Sequence, residues 1–222
     1  IGGSAGKFII AADLETGPGE LPHEVRERAL TMLACDGGTE RLGEYVIETV
    51  VNSDFNIAVF GAGHVGAAVV PLLASLDCNV RWIDSRRNIF RALPQNVRAI
   101  EAAEPALEVA AMPPGSYYLV MTHSHAIDHD IVSRILLRSD AAYCGLIGSV
   151  SKRRRFEKRF RAQGIGDAKV AGLTCPIGVD GISGKKPAEI AVAVAAELLQ
   201  SRDRAAQRLR GELPDNVRPL KR

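Results

Sequence analysis

Hydrophobic and polar positions follow two different patterns along this chain, and the change falls near residue 54. After that point, short apolar runs alternate with stretches in which apolar residues recur three or four positions apart. The apolar runs lie at 56–60, 79–83, 97–100, 117–121 and 142–146. There are four helical stretches: the first ends near 76, the second covers 127–137, the third begins near 152 and the fourth covers 187–201. Because strands that alternate with helices build parallel sheets, the pattern predicts an α/β fold with a parallel sheet flanked by helices.

The N-terminal segment has a different order of elements. Its pattern predicts a strand at 7–14, a helix at 22–34 and a strand at 44–50, followed by a polar break. We therefore expect a smaller α+β domain over 1–54, a main domain over 55–200 and a basic tail over 201–222. The sequence begins at Ile1, without a methionine, so we expect the N-terminal domain to be incomplete.

Composition narrows the class of protein. Of the 222 residues, 46% are hydrophobic and 24% are charged, which is typical of a folded globular chain and excludes a disordered one. The four cysteines are scattered without a C-x-x-C pair, which argues against a structural zinc site and favours a reduced, cytoplasmic chain. No apolar run reaches the length of a membrane span, so no membrane association is expected.

Charge is unevenly distributed behind a formal net charge of +2. Residues 1–54 carry four basic and ten acidic residues, residues 152–161 seven basic and one acidic, and residues 201–222 seven basic and three acidic. Such asymmetry predicts a partner or an anionic ligand. The basic stretch is short and lacks a nucleic-acid-binding motif, so nucleic acid is not expected.

A glycine fingerprint opens the main domain. Gly61, Gly63 and Gly66 fit G-x-G-x-x-G between an apolar strand and a helix, and Asp84 ends the next strand. This context predicts a Rossmann-like domain in which the turn and the helix N-terminus bind a phosphate and Asp84 accepts hydrogen bonds from a ribose. His64 either points at the ligand or is a solvated loop residue.

The ligand of this turn stays open at this stage. NAD(P) is one possibility, and a turn that binds no dinucleotide is the other. Arg86 and Arg87 follow Asp84 directly, and basic residues at that place suit an additional phosphate.

A cluster of polar residues follows the fourth strand of the main domain: Thr122, His123, His125, Asp128. The carboxyl edge of an open parallel sheet is where α/β proteins bind ligands. Three interpretations are open: a metal site, capping of the following helix, or hydrogen-bond donors to an oxyanion or a pterin.

The loop before the basic helix predicts a second anion site at the same edge. Gly145 and Gly148 permit turns, Ser149 or Ser151 can cap the helix, and Lys152 and Arg155 add positive charge. Cys35 and Cys175 are either buried structural residues or soft thiolate ligands of a metal such as molybdenum.

Five segments in this order carry a family resemblance: 61–66, 122–128, 145–152, 175–178 and 186–191. Together they resemble the xanthine dehydrogenase accessory (XdhC/CoxI) family. Residues 1–50 resemble the end of that family's N-terminal domain, although the family's Cys-Cys-Gly-Gly loop reads Cys35-Asp36-Gly37-Gly38 in this chain.

The resemblance implies a maturation factor that is chaperone-like and not a catalyst of turnover. Such a protein binds the molybdenum cofactor (molybdopterin), presents it for sulfuration and inserts it into a molybdenum hydroxylase such as xanthine or carbon monoxide dehydrogenase. It implies as partners the client hydroxylase, a cysteine desulfurase and a second copy in a homodimer. The glycine turn, the histidine cluster and the cysteines are then expected to hold the phosphate, the pterin and the metal, respectively. The alternatives are an NAD(P)-binding oxidoreductase and a non-enzymatic nucleotide-binding module.

Overall fold

The fold is described from a computed structural model, and the residues described are 8–11, 14–17, 19–34, 39–48, 54–91, 93–94 and 96–209. The chain divides into two compact units, Ile1–Asn52 and Ser53–Arg222.

The described residues of the first unit form two antiparallel strand pairs and one helix. Strands β1 (Ile9–Ala11) and β2 (Leu14–Thr16) pair with each other, as do β3 (Thr39–Leu42) and β4 (Tyr45–Glu48). The predicted single strand at 7–14 is therefore two strands, with Ala11 opposite Leu14. Helix α1 (His23–Ala34) buries Val25 and Met32, which pack in one cluster with Ile47 of β4.

The second unit is built on one six-stranded parallel sheet. Its strands, in chain order, are β5 (Asn56–Phe60), β6 (Asn79–Asp84), β7 (Val97–Glu101), β8 (Tyr117–Val120), β9 (Tyr143–Leu146) and β10 (Leu173–Thr174). They lie side by side in the order β7-β6-β5-β8-β9-β10. Numbered within the domain this order is 3-2-1-4-5-6, so the predicted Rossmann-like parallel sheet is confirmed.

Helices cover both faces of this sheet because its strands are apolar on both sides. Helices α2 (His64–Ala74) and α6 (Pro187–Leu209) pack on one face through residues such as Leu73 and Leu198. Helices α3 (His125–Arg138) and α4 (Val150–Ala162), with a 3-10 helix at Pro105–Ala111, pack on the other face around Ile131 and Phe156. A further short helix, α5, covers Asp167–Val170.

Two further differences from the sequence prediction lie in the second unit. Helix α6 continues to Leu209, past its predicted end at 201, so the first part of the expected basic tail is helical. Strand β10 was not predicted because only two residues, Leu173 and Thr174, pair with β9. Among the helices described, none has the length and apolar character that crossing a membrane requires.

Candidate functional site

The motifs identified in the sequence meet at one edge of the parallel sheet. The glycine fingerprint follows β5, Asp84 ends β6, the histidine cluster follows β8, and Gly148 and Ser149 follow β9. The order of strands reverses between β5 and β8, and the crevice at such a reversal is where open α/β sheets bind ligands.

The three fingerprint glycines have different physical roles. Gly61 has a φ of +113°, and a side chain there would overlap the backbone carbonyl of Met121. A Cβ on Gly66 would overlap the carbonyl oxygen of Gly61. Helix α2 can therefore lie this close to the turn only with glycine at position 66. A Cβ on Gly63 would meet no atom within 4 Å. The open space of the turn therefore lies at Gly63, where α2 begins without a side-chain cap.

Asp84 is held by its own surroundings. Its Oδ1 accepts hydrogen bonds from the backbone N–H and Nε of Arg86, both at 2.9 Å. Its Oδ2 accepts from the Ala62 N–H at 2.6 Å and from Arg86 Nη2 at 2.8 Å. Burial alone would raise the pKa of Asp84, but these hydrogen bonds and the Arg86 charge outweigh it and lower the pKa to about 2. Asp84 is therefore an ionised group that fixes the glycine turn to β6.

The histidines separate into two groups. His64, His123 and His125 are exposed at the sheet edge, with His64 and His125 as the first residues of their helices. His129, one turn further along α3, is buried, with its ring stacked on Phe160 at a centroid distance of 4.6 Å. Its Nε2 has no hydrogen-bond partner among the described residues. Burial first, and the Arg159 charge second, lower the pKa of His129. It is a neutral packing residue.

Thr122, Asp128 and Lys152 form a second buried group. Asp128 accepts hydrogen bonds from the Thr122 N–H at 3.0 Å and its hydroxyl at 2.7 Å. Its other oxygen accepts from Lys152 Nζ at 2.7 Å, and the same ammonium donates to the Ile147 carbonyl at 2.8 Å. These contacts join the loops after β8 and β9. The charges of Asp128 and Lys152 thus neutralise each other in this ion pair.

A cavity of about 480 Å³ opens beside this ion pair. It is lined by His125, Ile147, Gly148, Ser149, Ser151, Lys152 and Arg155. Ser149 caps α4 by accepting a hydrogen bond from the Lys152 N–H, as its position in the sequence predicted. Within the described part of the chain, the side chains of Arg155 and Ser151 make no hydrogen bond or ion pair, so their donors remain available to a ligand.

The sequence matches the family described as the XdhC Rossmann domain over residues 57–198. This range covers the whole fingerprint, the ion pairs of Asp84 and Asp128, and the cavity. The chain belongs to the XdhC family.

Two further proteins are similar to this XdhC chain. The chain is 28% identical over 153 residues to the uncharacterized protein YqeB of Escherichia coli K12, a match covering 67% of this chain and 28% of YqeB. The chain thus spans well under half of that relative. The fold is similar to a structure described as a xanthine dehydrogenase from Bacillus halodurans, with a TM-score of 0.58 and 20% identity, covering 94% of this chain and 56% of that one. At this identity the similarity shows the fold alone.

The cysteine predictions for this XdhC chain remain predictions. Cys35 lies outside the described residues. Cys175 is fully buried, and its thiol donates to the Ser149 carbonyl at 3.8 Å, just beneath the cavity loop. In the described portion, no group of three or more His, Cys, Asp or Glu side chains is placed to hold a metal ion.

The structure also places at this sheet edge residues that were not among the predicted site residues. Ile147 enters the cavity wall because it follows β9 directly, and Ser151 because it lies in the first turn of α4. The Trp82 indole donates to the Gly61 carbonyl at 3.1 Å and fixes the turn. Glu101 lies opposite Asp84 on the neighbouring strand. Only the pairing of strands reveals that last position.

Proposed function

We propose that this chain is the Rossmann part of a cytoplasmic maturation factor that holds molybdenum cofactor for a xanthine-dehydrogenase-type enzyme. Membership in the XdhC family supports a role in maturation. The observation that carries the proposal is the cavity beside α4, where His125, Ser151 and Arg155 offer donors that no other described residue uses.

The chemistry of this donor set fits the organic part of the cofactor. Molybdopterin carries a phosphate, and a guanidinium with a nearby hydroxyl is a common phosphate-binding pair. The volume of about 480 Å³ lies in the usual range of small-molecule sites. When bound, the cofactor supplies molybdenum and its dithiolene sulfurs. The chain's own contribution is to orient the phosphate through Arg155 and the polar edge of the pterin through His125.

Other predicted site residues also have a place in this proposal. The buried pair of Asp128 and Lys152, with Thr122, forms the rigid wall of the cavity, and Asp84 fixes the turn. Gly63, His64 and His123 lie on the open side, where the first amides of α2 offer further donors. Cys35 and Cys175 stay candidates for contact with the metal.

The client enzyme is proposed to dock on the exposed face of α4. This face presents Val150, Arg154, Arg155, Lys158 and Arg159, which follow one another at helical spacing. In contrast, Arg153 pairs with Glu157, and Arg161 pairs with Asp167. Arg155 also lines the cavity, so a partner with an acidic surface that binds this face reaches the cofactor. A cysteine desulfurase and a second copy of the chain are the other proposed partners.

The test of cofactor binding compares two adjacent arginines. We expect Arg155→Gln to lower the amount of pterin and molybdenum that co-purifies with the protein by about tenfold, because the phosphate loses its cationic partner. Arg154→Gln is the matched control, since it removes the same charge from the same helix outside the cavity. Pterin is measured by fluorescence after oxidation, and molybdenum by mass spectrometry.

Two outcomes would overturn the proposal. Absence of pterin in the wild-type protein, produced in cells that make the cofactor, argues against cofactor binding altogether. Equal retention by both variants argues against this cavity. The alternative of an NAD(P)-dependent oxidoreductase has less support, because both oxygens of Asp84 are occupied and do not accept from a ribose.

A further inference from the structure

A second cavity, of about 580 Å³, lies at the ends of β6 and β7. It is lined by Ser85, Arg87, Asn88, Glu101 and Ala103. It shares no lining residue with the cavity beside α4. The proposed maturation role does not involve this second cavity.

The usual polar residues of a Rossmann ribose site are not free here. Asp84 ends β6 as expected, but it is buried and both its oxygens accept hydrogen bonds from Arg86 or Ala62. Arg86 is likewise engaged, with two of its guanidinium nitrogens on that carboxylate. Asp84 therefore has no acceptor capacity left for a ribose, and Arg86 keeps only its Nη1 donors for a ligand.

Glu101 occupies the corresponding position one strand further along. It is the register partner of Asp84 on β7 and lies on the cavity wall. Its Oε1 accepts the Asn88 N–H at 2.7 Å, which holds Asn88 in a left-handed conformation with φ of 56°. Its other oxygen, Oε2, has no partner among the described residues. Glu101 is therefore a positioned carboxylate with one acceptor oxygen available.

Arg87 supplies the opposite charge. It is exposed, lines the same cavity and makes no hydrogen bond or ion pair within the described ranges of the chain. Arg86 anchors the loop on one side, and the bond between Asn88 and Glu101 anchors it on the other. The backbone that carries Arg87 is thus fixed while its side chain remains free.

We propose that this cavity binds the ribose phosphate of a ribonucleotide. Glu101 accepts hydrogen bonds from the ribose hydroxyls, and Arg87 pairs with a phosphate monoester. A neutral sugar leaves Arg87 without a counter-charge, and inorganic phosphate is repelled by Glu101. The combined ligand satisfies both groups. This site is independent of molybdenum cofactor binding and goes beyond the proposed function.

The experiment is calorimetric titration of the purified chain with adenosine 5′-monophosphate, adenosine 2′-monophosphate, adenosine and inorganic phosphate. One of the two monophosphates is expected to bind at least about tenfold more tightly than adenosine or phosphate, because it alone engages both charges. Arg87→Gln is expected to remove that advantage of about tenfold and to leave adenosine unchanged. Glu101→Gln keeps an oxygen for Asn88 and is expected to weaken the monophosphate and adenosine while leaving phosphate no weaker.

Arg91→Gln is the control, since it removes an exposed arginine from the same loop outside the cavity. Monophosphates that bind no more tightly than phosphate overturn the proposal, as does an equal loss in the Arg87 and Arg91 variants. Arg155→Gln separates the two sites. A loss of nucleotide binding in this variant would show that the nucleotide binds in the cavity beside α4, which contradicts the assignment. Failure of this titration leaves cofactor retention untouched, so the two proposals fail separately.

Discussion

Two buried aspartates at the same sheet edge are neutralised in different ways. Asp84 pairs with Arg86, two positions along the chain, and the arginine side chain remains 41% exposed. Asp128 pairs with Lys152, which comes from a different loop and is only 10% exposed. The first pair is local and fixes one turn. The second joins the ends of β8 and β9, so it holds together the walls of the cavity proposed for the cofactor.

Burial decides how much each of these ion pairs contributes to stability. A buried charge is costly when its partner is removed, whereas a partly exposed cation is replaced by water with less penalty. The Asp128 pair should therefore matter more for stability, and the Asp84 pair more for the shape of the glycine turn.

The largest expected effect comes from Lys152→Met. This change leaves the Asp128 carboxylate buried without its cation, which costs about 3–5 kcal/mol of the free energy of unfolding. Urea denaturation measures the loss. The double variant Asp128→Asn with Lys152→Met should recover a substantial part of it, since no charge is then left unpaired. A loss below about 1 kcal/mol in the single variant would show that water reaches Asp128.

A smaller effect is expected from Asp84→Asn, about 1–3 kcal/mol near neutral pH. The folded pKa of about 2 lies below the ordinary aspartate pKa of 3.8, so the unfolded chain binds protons first as the pH falls. Asp84 therefore stabilises the fold fully above about pH 4, and this contribution is lost as the pH falls towards 2. Unfolding followed between pH 5 and pH 2 should show a shallower decline in the variant. Parallel curves would contradict the assignment.

The smallest effect is expected at His129, which follows Asp128 directly but lacks a partner for Nε2. His129→Phe removes that unsatisfied nitrogen and should raise the free energy of unfolding by about 1 kcal/mol or leave it unchanged at pH 7.5. Because folding lowers the pKa of His129, the wild type loses stability as the pH falls below the pKa of this histidine in the unfolded chain. The variant should lose less between pH 7 and pH 5, measured by thermal unfolding.

Much of the fold was predictable because local patterns dictate it. The apolar strands and the glycine fingerprint indicated a parallel sheet with a ligand edge, and Asp84 falls at the end of β6 as expected. The end of α6 was missed because alternating charges after residue 201 resemble a loose tail, although Ala205 and Ala206 are good helix formers in the same segment. Strand β10 was missed because two residues carry no periodicity.

By itself, the sequence determined which chemical groups reach the carboxyl edge of the sheet, because strand length and turn residues are local properties. The tertiary structure alone decided which of those groups remain available to a ligand. It pairs Lys152 with Asp128 across loops 24 residues apart and leaves Arg155 beside them free. It also aligns Glu101 with Asp84 through strand pairing. These relations depend on contacts between distant segments, which no spacing along the chain encodes.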